Sequence, residues 1–284
     1  MKALVPRPFS TFRALRHENP LGLPRTGTIP RMQRGLPERR KIKDVAKVIA
    51  VSSAKGGVGK STVAGEPRLS SSISPKSLEP PATCRMETAD TKSPDNQLVP
   101  MSNYGVKTMS MGYLVGQDAP VVWRGLMVMK ALQQLLHEVD WGGLDVLVLD
   151  LPPGTGDTQL SITQQIVLDG SVIVTTPHTL AVKDAVKGIN MFKKVNVPIL
   201  GLVQNMSLFN CPCCSHETAV FGSGEKVRKV CEEHDISVLG DIPLHPSIGD
   251  DGDQGKPTVV SEPESPRAQA FMNIANEVGR KIGL

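Results

Sequence analysis

Three groups of residues in this chain have types and spacings suited to chemistry. The first is Lys55-Gly56-Gly57-Val58-Gly59-Lys60-Ser61-Thr62, directly after the apolar run Val48-Ile49-Ala50-Val51. Glycines at 56, 57 and 59 let the backbone turn its N–H groups inward. Such a nest binds anions, and a helix beginning near Gly59 would add its positive end. Lys60 can then reach the outer phosphates of a nucleotide, and the Ser61 hydroxyl can sit on Mg²⁺. The strict P-loop pattern is not met in full, because Ala54 stands at its first glycine position. The plain alternative is a Gly-rich turn with two solvated lysines.

The second group is Asp150, which closes the apolar run Val146-Leu147-Val148-Leu149. A carboxylate at that place would hold Mg²⁺ through water, opposite Ser61. Amides of Gly154 or Gly156, in the following Pro-Pro-Gly-Thr-Gly-Asp loop, could sense a γ-phosphate. The alternative is a strand-end aspartate capping the next turn. Asn205 also ends an apolar run, and either reads an adenine edge or makes a turn.

The third group is Cys211-Pro212-Cys213-Cys214. Cys211 and Cys214 form a C-x₂-C pair, a spacing at which two thiolates can hold one side of a metal. One pair is half a site, since zinc or a [4Fe–4S] cluster normally takes four ligands. A symmetric dimer would supply two pairs. His216 with Cys213 could instead complete a mononuclear zinc site. A thioredoxin-like redox role fits poorly, because no first-helix context surrounds the pair. A structural turn with incidental thiols is the remaining reading. Cys84 and Cys231 read as non-ligands.

Composition limits the partners. A chain of 284 residues with 39% hydrophobic content has ample core for one large α/β domain, and only 4% is aromatic. No apolar run approaches the roughly 20 residues of a membrane helix. The net charge of +4 conceals an asymmetry: residues 1–41 carry ten Lys/Arg and two acids. The remainder is net acidic, which argues against nucleic acid as a partner. The basic leader, with Leu4, Phe9, Phe12 and Leu15 among its arginines, reads as a disordered mitochondrial transit peptide, the alternative being a disordered basic tail with no targeting role. Residues 42–284 then form a single P-loop domain in the mitochondrial matrix.

These sites need elements to position them. Residues 48–51 read as a buried strand, and 106–111 as an alternating one. Leu126, Met129, Leu132, Leu136 and Val139 repeat at helical spacing. Further strands are expected at 146–150, 172–177, 199–205 and 238–243. Helices are expected at about 180–193, 224–234 and 264–282, the last with Phe271, Ile274, Ala275 and Val278 on one face. Apolar strands alternating with helices predict an α/β fold, a mostly parallel sheet covered on both faces. Ligands then sit at the carboxyl ends of its strands. The helix expected after the P-loop is cut short by Pro67. Residues 65–100 hold six prolines and six serines with neither helical nor strand periodicity, and read as disordered.

In this order, Lys55–Thr62, Asp150–Asp157 and the cysteine pair after Gln204-Asn205-Met206 resemble the Mrp/ApbC (MinD-like) family of P-loop iron–sulfur carrier ATPases. With the leader, the resemblance is strongest to its mitochondrial members. Trp123-Arg124-Gly125, Gly201–Ser207 and Gly240-Asp241-Ile242-Pro243-Leu244 also match. The resemblance implies that Lys55, Gly56, Gly57, Val58, Gly59, Lys60, Ser61, Thr62, Asp150 and Asn205 bind ATP·Mg²⁺. Lys55 would reach the nucleotide of a partner subunit. Lys55, Lys60 and Asp150 would be the catalytic set, with Mg²⁺ on Ser61 and Asp150. It implies further that Cys211 and Cys214 bridge a [4Fe–4S] cluster across a homodimer. The cluster would go to apo iron–sulfur proteins such as subunits of respiratory complex I.

In that family the P-loop helix continues, and a second strand ends in Asp-x-Asp-x-x-Gly-Pro-Ser, whose aspartate positions the attacking water. Here residues 65–100 replace both, and none of Glu87, Asp90 or Asp95 has a matching context. The replacement would remove a strand beside the P-loop strand and the helix over it. Either the sequence is misjoined there or hydrolysis is impaired. Two rival functions remain, a MinD/ParA-like positioning ATPase and a zinc-stabilised scaffold with a dead P-loop. The first predicts a basic surface or a basic closing helix, and that helix has only Arg267, Arg280 and Lys281 as bases.

Overall fold

Runs of branched apolar residues form the centre of a sheet that has nine strands among the described residues. The computed structural model describes residues 39–65, 72–74, 97–110, 113 and 132–284. The strands are β1 Val45–Ser52, β2 Ser72–Ser74, β3 Met101–Asn103, β4 Val106–Ser110, β5 Leu144–Asp150, β6 Gly170–Thr175, β7 Ile199–Asn210, β8 Glu217–Thr218 and β9 Val238–Leu244. Their order is β3-β4-β2-β5-β1-β6-β7-β8, and β9 pairs with β7 as well. Pairing is parallel except at β3–β4 and β7–β8. All six residues of β6 are buried, as are the last five of β1 and of β5. Such continuous burial is what a parallel sheet with both faces covered demands. The fold is therefore the expected α/β, mostly parallel P-loop architecture.

Alternate residues of β1 serve two cores. Val48 and Ala50 join Leu147, Leu149, Ile173 and Leu202 on one face. Ile49 and Val51 join Val146, Val148, Val172 and Val174 on the other. The second face is closed by α1 (Lys60–Gly65) and by the final helix, Pro266–Ile282. The first face is covered by Asp157–Gln165 (α2), Thr179–Lys194 (α3), Glu225–His234 (α4) and a helical stretch over 132–137. Between β9 and the final helix lie two short helices, α5 (Pro246–Asp253) and α6 (Thr258–Ser261), which makes the final one α7.

The final helix buries Phe271, Ile274, Ala275 and Val278, the face expected of it. Ser265 caps its start by accepting from the Ala268 N–H at 3.1 Å. Gly240 of β9 lets the helix approach: a Cβ there would lie 2.7 Å from Cγ1 of Ile274. Gly240→Ala should therefore cost about 1–3 kcal/mol through overpacking, measurable as a lower midpoint in urea unfolding at unchanged slope.

Several expectations change. α1 is described over Lys60–Gly65, and Pro67 lies outside the described residues, yet the non-periodic segment contributes a strand at Ser72–Ser74 that pairs in parallel with β4 and β5. The P-loop strand also keeps both neighbours, β5 and β6. The altered region lies beyond β5, not beside β1. The helix expected around 126–139 is described only over 132–137, and Val139 forms a bridge to Leu98 instead. Body contacts start before residue 42, because the Arg40 N–H donates to the Gln165 carbonyl at 2.8 Å. The leader as far as residue 38, Trp123-Arg124-Gly125, Cys84, Glu87, Asp90 and Asp95 lie outside the described residues.

Candidate functional site

Register places the first two chemical groups together. Val51 of β1 pairs with Asp150 of β5. The carboxylate therefore stands level with the strand end that becomes the P-loop. Residues 53–59 turn back over the sheet, with Gly57 at φ +78° and Gly59 at φ +79°. Both values are cheap for glycine and strained for any L side chain. The Ser53 hydroxyl donates to the Lys55 carbonyl at 2.9 Å and stiffens the first turn. The second loop docks on the first: the Gly154 N–H donates to the Ser53 carbonyl at 3.1 Å.

Ser61 and Asp150 face each other across the expected position, and Lys60 joins them in a direct ion pair that the sequence did not suggest. The Lys60 ammonium pairs with Oδ1 of Asp150 and lies 3.2 Å from Oγ of Ser61, which in turn donates to Oδ2 of Asp150 at 2.6 Å. Lys60 is 8% exposed and Asp150 4%. Hydroxyl and carboxylate side by side are a hard oxygen donor set of the kind Mg²⁺ takes. Ser61 and Asp150 would hold that ion beside the phosphates. Lys55 is half-buried at the mouth of the same loop, and Thr62 lies in the first turn of α1.

Breaking this buried pair from one side should be costly. Asp150→Ala leaves the Lys60 ammonium buried without its carboxylate, a loss of about 3–5 kcal/mol. The double variant Lys60→Met/Asp150→Leu, which leaves no orphaned charge, should recover most of that. Denaturant midpoints of the two variants check it.

Asn205 has a use the sequence did not suggest. Its Nδ2 donates to the Val58 carbonyl at 2.8 Å, in a buried setting. It neither makes a turn nor stands apart from the P-loop; it braces the loop from below. Gly59 lies so close that a Cβ there would overlap the Asn205 amide.

Gln159 was missed altogether. It is 1% exposed, and its Nε2 donates to the Pro152 carbonyl and, at 3.3 Å, to Oγ of Ser52. It thereby ties the Asp150–Asp157 loop to the end of β1. The helix that carries it buries Gln159, Ile162, Thr163 and, at its end, Ile166. That is an i, i+3, i+4, i+7 stripe in which two of the four residues are polar, so an apolar period could not reveal it.

The cysteines sit on a hairpin, not in an open loop. β7 continues past residue 205 as far as Asn210, and Phe209 and Asn210 pair with Thr218 and Glu217 of β8. Between the strands the Cys211 N–H donates to the His216 carbonyl at 3.0 Å, and the Ser215 N–H to the Cys211 carbonyl at 2.8 Å. Cys213 and Cys214 are exposed, and Cys211 is half-buried. The Cys211 thiol is held below its ordinary pKa, first by the Cys213 N–H, next by that of Cys214 and then by the Cys214 side chain. This favours the thiolate that a soft metal needs. Among the described residues no three His, Cys, Asp or Glu side chains converge on one point. Cys211, Cys213, Cys214 and His216, the four side chains of the mononuclear zinc alternative, are thus not gathered on one point. Cys231 is buried in α4, where desolvation pushes its thiol up, as suits a non-ligand.

Comparison with known proteins follows the same outline. The family described as NUBPL iron-transfer P-loop NTPase, within the ParA group, matches residues 44–279. The iron-sulfur cluster transfer protein NUBPL of Mus musculus is 49% identical over 263 residues, covering 88% of this chain and 82% of the mouse protein. An Arabidopsis thaliana protein described as an iron-sulfur protein required for NADH dehydrogenase, mitochondrial, is 45% identical over 84% of this chain and 79% of its own length. A nucleotide-binding protein from Archaeoglobus fulgidus, solved with ADP, superposes with a TM-score of 0.63 at 30% identity, over 80% of this chain and 93% of its own. The cell division ATPase MinD of Pyrococcus furiosus shares the fold, with a TM-score of 0.55 at 18% identity over 83% of this chain and 99% of its own.

Proposed function

This chain belongs to the NUBPL iron-transfer P-loop NTPases, and from that premise we propose that it is a nucleotide-dependent carrier of [4Fe–4S] clusters. One observation carries the reading. A Gly-rich phosphate loop with Lys60, Ser61 and Asp150 gathered at it, and a thiolate-favouring C-x₂-C hairpin, rise from carboxyl ends of strands in one sheet, the first from β1 and β5, the second from β7. ATP is the nucleotide. Lys55 to Thr62 cradle its phosphates, Lys60 and Asp150 flank the reacting end, and Asn205 holds the loop in shape. Lys55 is the residue available to a second subunit's nucleotide.

The cluster is cargo. Cys211 and Cys214 of one chain supply two of its four thiolates, and a second copy supplies the other two. The homodimer is therefore part of the site. The recipients are apo iron–sulfur proteins, and the plant relative's name supports subunits of mitochondrial NADH dehydrogenase among them. The same name and the arginine-rich leader support a mitochondrial address, in the matrix. An acidic body supports protein rather than nucleic-acid partners, and no helix among the described residues is long and apolar enough to cross a membrane.

The test is anaerobic reconstitution of the full chain with iron and sulfide, followed by metal analysis and sizing. About four irons per two chains in a dimer is the expected result. Zinc in a monomer would put the scaffold reading ahead.

A further inference from the structure

We propose that β7 is the mechanical link between nucleotide and cluster, with Asn205 and Ser207 as its positioning residues. The inference rests on the nucleotide and carrier readings above. One strand touches both sites. At Asn205 it is bonded to the Val58 carbonyl of the P-loop at 2.8 Å, and Gly59 packs against the same amide without slack. Six residues further on it delivers Cys211 to the hairpin turn.

Between these points the strand is built to pivot. Met206 has φ +55°, a left-handed value that a methionine adopts only under constraint. The pairing of β7 with β9 shifts register between Asn205 and Phe209. A bulge of this kind re-aims the strand that carries it. Ser207 then re-anchors the strand, its Oγ donating to the Ile242 carbonyl at 3.1 Å. A displacement of Val58 as the loop closes on phosphates is handed to Asn205. It turns the strand at Met206 and, about the Ser207 anchor, tilts the cysteine hairpin. Nucleotide state thus sets the angle at which the paired thiolates are presented.

Hydrogen–deuterium exchange on the cluster-free full chain, with and without saturating Mg·ATPγS, tests this. In the wild type the nucleotide should protect amides 53–60 and change exchange at 209–218 by about threefold or more. In Ser207→Ala, which lies outside the nucleotide site, protection at 53–60 should remain and the response at 209–218 should vanish. Protection at 53–60 with no hairpin response in the wild type overturns the link alone. A hairpin response that survives in Ser207→Ala does the same. No protection at 53–60 in the wild type overturns the nucleotide reading itself.

Discussion

Replacing Cys211 and Cys214 together by alanine should abolish iron uptake on reconstitution and leave folding stability within about 0.5 kcal/mol of the wild type. Both halves follow from the hairpin. Its turn is closed by backbone bonds, Cys211 N–H to His216 and Ser215 N–H to Cys211, which alanine keeps. Cys214 is exposed and Cys211 only half-buried, so little apolar contact is lost. The thiolates, by contrast, have no substitute, since among the described residues no third ligand converges with them. Cys213→Ala is the contrast. It removes an equally exposed thiol one residue from Cys214 and keeps the C-x₂-C spacing, so iron content should stay at the wild-type level. Iron per chain, visible absorbance and a urea titration on all three proteins are the measurements. Iron retained in the double variant would sink the assignment of the pair.

Gly59→Ala should weaken nucleotide binding by about 100-fold or more. Two costs combine at this position. The φ of +79° is unfavourable for alanine by about 1–2 kcal/mol. The added methyl also overlaps the Asn205 amide, which cannot withdraw without giving up its bond to Val58. Overpacking of that kind costs about 1–3 kcal/mol. The loop escapes both only by leaving the shape that points its N–H groups at phosphate. Gly57→Ala separates the two effects. Gly57 has a similar φ of +78°, but a Cβ added there would meet nothing within 4 Å, so only the conformational cost applies. Its affinity should fall by about tenfold. Titration with a fluorescent ATP analogue ranks the two, and equal losses would remove Asn205 from the explanation.

The sequence revealed those features whose chemistry is local. The P-loop, the strand-end Asp150 and the C-x₂-C pair are short motifs, and each forms where its residues stand. The buried strands were legible because both faces of a parallel sheet call for uninterrupted apolar runs. What stayed hidden depends on distant partners. The last third of β7 is an ordinary run of mixed residues that becomes strand because β8 and β9 pair with it. The Asn205 amide faces Val58 from 147 positions away, and only the fold joins them. The helix holding Gln159 hid behind its buried polar face. Helix α5, Pro-Ser-Ile-Gly-Asp-Asp-Gly-Asp, buries no residue at all, so its sequence has no period to read. The short strand at Ser72–Ser74 exists only as a filler between β4 and β5.

That filler divides the sheet mechanically. Within the sheet, three residues of β2 join the β3–β4 pair to β5, whereas β1 and β5 pair over most of their lengths. The β3–β4 edge is held from outside that ladder as well, by the Lys107 ammonium on the Trp141 carbonyl at 2.6 Å and by Met109 in the core. The sheet therefore has a thin place in its hydrogen bonding that side chains bridge. The P-loop and the cysteine hairpin lie on the long-laddered side, on β1, β5 and β7. Under native exchange conditions the β2 amides should open before those of the β1–β5 ladder.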